Sequence, residues 1–174
     1  INDDFGHEYP FKFATKYENG VTTDSVFACT QHGDESYGQV PSFLRYTHST
    51  NGLGGAMTIQ YGLTQMHIGS SHTRGVDWLE FLEKLLASIN SVATILQTDE
   101  RFVRERFYEG HPVLDPYNCY VSAVRESRGV LMTINTDLSN VNTKASFVMK
   151  ESNLKQLHTF LKTIILYLRG KDKK

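Results

Sequence analysis

The chain has 174 residues, 40% hydrophobic and 21% charged, with a formal net charge of -1. That length holds one domain with a full core or two closely fused halves, and the composition excludes wholesale disorder and fibrous classes. No apolar run approaches the roughly 18 residues that span a bilayer, so a soluble chain with no membrane partner is expected.

Four strands are predicted first: Phe11 to Asn19, Ser25 to His32, Ser42 to Thr50 and Gly55 to Leu63. Each is rich in alternating, aromatic or β-branched residues, and the gaps carry turn formers such as Glu18-Asn19-Gly20. The segment from Val76 to Gln97 then places Leu79, Leu82, Leu86, Ile89, Ala93 and Leu96 at helical spacing, with Asp77 or a nearby Ser/Thr as the cap and Glu80 and Glu83 near the positive end of the dipole.

Four more strands follow: Glu100 to Gly110, Asn118 to Ser127, Gly129 to Asp137 and Lys144 to Lys150. A closing helix from Glu151 repeats Leu154, Leu157, Leu161, Ile164 and Leu168 at intervals of three and four, a seam suited to a sheet or a partner helix. The predicted fold class is α+β. It has two four-stranded antiparallel sheets, each followed by a helix, in a single domain of two halves, about 9–98 and 99–170.

Metal and nucleophile chemistry find little support. Cys29 with His32, and His67 with His72, have loosely suggestive spacing, yet no second cysteine pair completes a zinc pattern. There is no GxSxG elbow and no phosphate loop; the glycine-rich Asn51 to Gly55 leads into a strand and reads as a hairpin turn. Neither an enzyme nor a cofactor is expected. The start at Ile1, without an apolar leader, reads as a processed or truncated product.

Binding is the better expectation, because the charge is unevenly distributed. Through Thr98 there are 5 Lys/Arg against 10 Asp/Glu, and from Asp99 onward 13 against 9. A basic surface on an acidic body implies a polyanion partner. The candidate phosphate contacts are Lys12, Lys16, Arg45, Arg101, Arg104, Arg106, Arg125, Arg128, Lys144 and Lys150, with Thr58, Gln60, Thr133 and Asn135 as neutral donors. Strand alternation in ERFVRERFYEG puts Phe102, Arg104, Arg106 and Tyr108 on one face, where the two rings would stack on unpaired bases if Arg104 points outward, although Phe102 and Phe107 taken singly read as core more readily than as base platforms. The plainer alternative is that these charges guard exposed strands, with Arg101 or Arg106 paired to Glu105 or Glu109.

The element order, together with YPFKFATKYENG, AMTIQYG, VDWLEFLEKLLASINSVATIL and ERFVRERFYEG, resembles the Whirly fold. More closely, it resembles the guide-RNA-binding mitochondrial proteins of trypanosomatid RNA editing. The lysine-rich KGKAAL-type strand motif of the plant Whirly proteins is absent. The resemblance implies two sheets packed nearly at right angles, with helices across one side and tetramers joined through that side. It also implies a homologous partner subunit in a heterotetramer, and a mitochondrial location with the transit peptide removed. The exposed sheet would hold guide RNA by its phosphates, bases outward, and promote its annealing to messenger RNA. Two other roles are compatible with the residues: single-stranded DNA binding of the Whirly type, and a purely structural assembly subunit.

Overall fold

The structure is a computed structural model that describes residues 12–29, 42–49, 55–69, 77–108, 119–127, 129–138 and 141–172. Five strands come first: β1 Lys12–Glu18, β2 Val21–Cys29, β3 Ser42–Ser49, β4 Gly55–Tyr61 and β5 Thr64–Ile68. Helix α1 spans Trp78–Ala93 and tightens into a 3-10 turn over Thr94–Gln97. The second half holds β6 Phe102–Tyr108, β7 Cys119–Glu126, β8 Gly129–Leu138 and β9 Val141–Met149, and α2 Glu151–Asp172 closes it. The fold is α+β, with antiparallel sheets of five and four strands in the orders β1-β2-β3-β4-β5 and β6-β7-β8-β9.

The expectation of two four-stranded sheets is therefore corrected: the first sheet has a fifth strand. Gly62, at φ 62°, and Leu63 form a two-residue hairpin that pairs Tyr61 with Thr64. Glycine at the first position of such a loop matches the right-handed twist of the flanking strands. In TQMHI, Met66 and Ile68 are buried while Gln65 and His67 are exposed, the alternation of a half-buried strand.

The β1–β2 hairpin is just as tight. Asn19 and Gly20, at φ 53° and 79°, pair Glu18 with Val21 across a two-residue turn. An Asn-Gly pair tolerates the positive φ such a turn demands. Strand β2 consequently starts four residues before the predicted Ser25. The predicted turn at residues 51–54 lies outside the described residues.

Each sheet turns one face toward the helices. In the first sheet the inward residues are Leu44, Tyr46, Met57, Ile59, Met66 and Ile68, and in the second Val121, Ala123, Met132, Ile134 and Phe147, all 1% exposed or less. Helix α1 lies against β6 and β7, and α2 packs beside α1 with contacts to β3 and β9. Ser42 Oγ donates to Gln156 Oε1 at 3.0 Å, and the Tyr61 hydroxyl donates to the Asn153 carbonyl at 3.3 Å, tying α2 to the first sheet. The edges β5 and β9 meet. One hydrophobic cluster contains residues of both sheets and both helices.

Capping follows the sequence. The Asp77 carboxylate accepts from the Glu80 N–H at 3.2 Å, worth about 1 kcal/mol. Asn153 Oδ1 accepts from the Lys150 N–H at 2.9 Å at the start of α2. The closing-helix seam Leu154, Leu157, Leu161, Ile164 and Leu168 is buried, at 6% exposure or less, in the chain's own core. No helix of the described residues is long and apolar enough to cross a membrane.

Gly129 opens β8 at φ 141°, and a Cβ there would stand 2.4 Å from the Met149 carbonyl oxygen. Backbone strain and a backbone clash therefore coincide. Gly129→Ala is expected to lower unfolding free energy by more than about 1 kcal/mol in a urea titration. An unchanged midpoint would contradict this geometry.

Candidate nucleic-acid interface

The outer face of the second sheet, away from the helices, is built by register. Arg104, Ser122, Thr133 and Ser146 are successive partners across β6, β7, β8 and β9, and Arg106, Tyr120, Asn135 and Lys144 form the next such row. Side chains directly opposite in antiparallel strands share a face, so both rows point the same way. Arg104, Arg106 and Lys144 are exposed. At about 4.8 Å per strand, Arg106 and Lys144 stand roughly 14 Å apart at the two edges of their row.

Between them Ser122 and Asn135 are buried, at 8% and 2% exposure, and the groups that reach the surface are Tyr120, Thr133 and Ser146. The Arg104 guanidinium carbon sits 4.0 Å from the centre of the Tyr120 ring. A cation over an aromatic face is held there by about 0.5 to 1 kcal/mol at an exposed site, which limits where Arg104 points. The Thr133 and Ser146 hydroxyls lie 2.7 Å apart, and Asn142 Nδ2 donates to Asn135 Oδ1 at 3.2 Å. Tyr120 was not anticipated from the sequence, because its position beside Arg104 depends on the β6–β7 register.

The other predicted cations divide. Lys150 is exposed just past β9, two residues beyond Val148. Arg45 is exposed on the outer face of the first sheet, in register with Thr58, whose hydroxyl lies 2.8 Å from His67 Nδ1. Gln60 Nε2 donates to the Gly62 carbonyl at 3.1 Å. Arg45, Arg101, Lys144 and Lys150 make no ion pair among the described residues. Lys16 is exposed on the edge strand β1, and its ammonium is 2.9 Å from Glu18. Lys12 is placed by the backbone opposite Phe27, with its side chain outside the described part, and Arg128 lies outside the described residues altogether.

Two expectations are corrected. Arg125 has the inward alternation of β7, and its guanidinium donates to the carbonyls of Ile95 and Thr98, with Nε 3.4 Å from that of Glu100. The Ile95 and Thr98 carbonyls belong to the end of the 3-10 turn and its C-cap, where helical partners run out. Arg125 is a cap for that turn, and Arg101, beside it, shares the helix-side alternation of Val103. Arg125→Ala is expected to cost about 1 to 3 kcal/mol of stability while leaving the polyanion affinity of the folded protein unchanged. Thermal melts and binding isotherms on the same sample separate the two effects.

Tyr108 is the second correction. Arg106 pairs with Tyr120 and Tyr108 with Cys119, so Phe107 is an extra residue, a β-bulge. A bulge breaks the alternation. Phe107 and Tyr108 both turn inward onto Phe81, with ring centres 5.6 and 5.4 Å away. Burial, with Glu80 and Asp77 nearby, raises the Tyr108 phenol above its ordinary value. Phe102, by contrast, is exposed on the same face as Arg104. Glu105 points to the helix side, where it accepts from the Ser91 hydroxyl at 3.2 Å, so it is not the carboxylate facing Arg106. No protein-family model, curated protein or solved structure matches this chain.

Proposed function

We propose that this chain is an RNA-binding protein that holds guide RNA on the outer face of the β6–β9 sheet, mainly through sequence-independent phosphate contacts. The observation that carries the reading is the shared face on which Arg104, Arg106 and Lys144 are exposed, with the Thr133 and Ser146 hydroxyls between them. Two polynucleotide strands repel each other, and masking one backbone with a cationic platform lowers the barrier to their pairing. Promotion of guide RNA annealing to messenger RNA, in a mitochondrial heterotetramer with a homologous subunit, is the role this proposal adopts from the sequence resemblance. A chain of net charge -1 relies on a local patch, and a more basic partner would supply further affinity.

The number of cations involved fixes the salt dependence. Three phosphate contacts to a single strand predict a slope of log affinity against log salt near -2, whereas ten would give about -7. Between about 50 and 200 mM salt the smaller slope means a loss of about twentyfold. A titration of the full chain with single-stranded RNA, repeated with a DNA competitor, tests this. Salt-insensitive binding removes the reading, and a clear preference for DNA moves it to single-stranded DNA binding.

A further inference from the structure

Beside the arginine rows lies a row that is apolar from edge to edge. Phe102, Val124, Leu131 and Val148 are register partners across all four strands of the second sheet. Phe102, Val124 and Val148 are 58%, 36% and 43% exposed. A contiguous apolar strip left in water on a sheet face marks a contact surface. Its surroundings identify the occupant. The Arg104 row runs two residues away, about 7 Å along the strands, and Arg106 with Lys144 follows in the row beyond. On the opposite side stand two acids and one base, Glu100, Glu126 and Lys150, all exposed.

The strip therefore has cationic side chains and hydrogen-bonding groups along one side, and an excess of one carboxylate along the other, which would turn a phosphate away. Its complement is a chain of flat apolar groups with anions displaced to one side by about the separation of a base from its own phosphate. An unpaired polynucleotide fits that description. A duplex does not, because it hides its bases and offers only phosphates.

We propose that Phe102, Val124, Leu131 and Val148 form a base platform that accepts the unpaired bases of a single strand while Arg104, Arg106 and Lys144 hold its phosphates. This rests on the reading of this face as the RNA-binding one, and it makes unpaired strands the preferred ligand. Phe102 supplies the stacking ring, and the three aliphatic side chains extend the floor beneath neighbouring bases. A strand seated this way presents for pairing only the nucleotides that overhang the sheet.

The test compares three ligands by fluorescence anisotropy on the full chain: an unstructured RNA of about 12 nucleotides, an abasic strand of equal length, and an RNA duplex. The wild-type chain is expected to prefer the base-bearing strand to the abasic one by about fivefold or more, and Phe102→Ala to abolish that preference while leaving duplex affinity unchanged. Arg104→Ala with Arg106→Ala is expected to weaken all three alike. Phe102 is exposed, so its removal leaves the fold intact. The platform is overturned if Phe102→Ala discriminates bases from abasic sites as the wild type does. It is also overturned if that variant changes only the oligomeric state in sedimentation, which would give the strip to a protein partner. Wild-type binding to none of the three ligands would instead remove the RNA reading itself, and the platform with it.

Discussion

Replacing Arg104 and Arg106 together by alanine is expected to lower affinity for single-stranded RNA about thirtyfold at low salt, and to do so equally for every sequence tried. The figure follows from on the order of 1 kcal/mol per arginine, a charge-assisted contact discounted for the water that screens an exposed side chain. Both residues are on the exposed face of an edge strand. Folding loses the contact of Arg104 with Tyr120, about 0.5 to 1 kcal/mol, so melts run on the same sample separate stability from affinity.

The salt dependence carries more information than the affinity. Removing two of three phosphate contacts to a single strand should flatten the log-log slope from about -2 to about -0.7. A double variant that binds more weakly at an unchanged slope would mean that the arginines act by shape and not by charge. Sequence-selective weakening would mean that they read bases. Replacing Lys144, across the sheet from Arg106, should add a comparable smaller loss.

How much of this was legible in the chain depends on whether local pattern or register decides the position. The helix from Trp78 was legible because its apolar spacing and its Asp77 cap are properties of neighbouring residues. Its end at Gln97 was legible too, but not the tightening to 3-10 over Thr94–Gln97 or the cap that Arg125 supplies from a strand about thirty residues away. Strand β5 was missed because its five residues follow a two-residue turn and carry only two inward apolar side chains, Met66 and Ile68.

The site shows the same division. Alternation correctly grouped Phe102, Arg104 and Arg106, which lie before the bulge, and misplaced Tyr108, which lies after it. No rule of period two survives an inserted residue. Tyr120 and Lys144 join the arginines only through strand pairing, which the sequence does not state. The apolar row is of this kind too. Phe102, Val124, Leu131 and Val148 are separated by up to 46 positions and become a strip only once three registers are known.

Phe81 links the strand that carries the arginines to the rest of the core, and its loss should be strongly damaging to stability. The ring is fully buried and meets Trp78, Phe107 and Tyr108 edge-on at 5.6, 5.6 and 5.4 Å. Trp78 in turn meets Tyr46 of the first sheet at 5.4 Å, so one aromatic chain runs from β3 through α1 to the bulge of β6. Phe81→Ala is expected to cost about 3 to 5 kcal/mol, the lost transfer energy plus the cavity left among rings that cannot collapse together. For a chain of this size that corresponds to a fall in melting temperature on the order of 10 °C. Phe81→Leu fills part of the space and should cost less. The bulge next to Arg106 loses its support at the same time, so the surviving folded protein should bind RNA more weakly than wild type. A melting temperature within a degree or two of wild type would show that α1 and β6 are not held together by this ring. Intact RNA binding by a strongly destabilised variant would show that the outer rows keep their alignment without it.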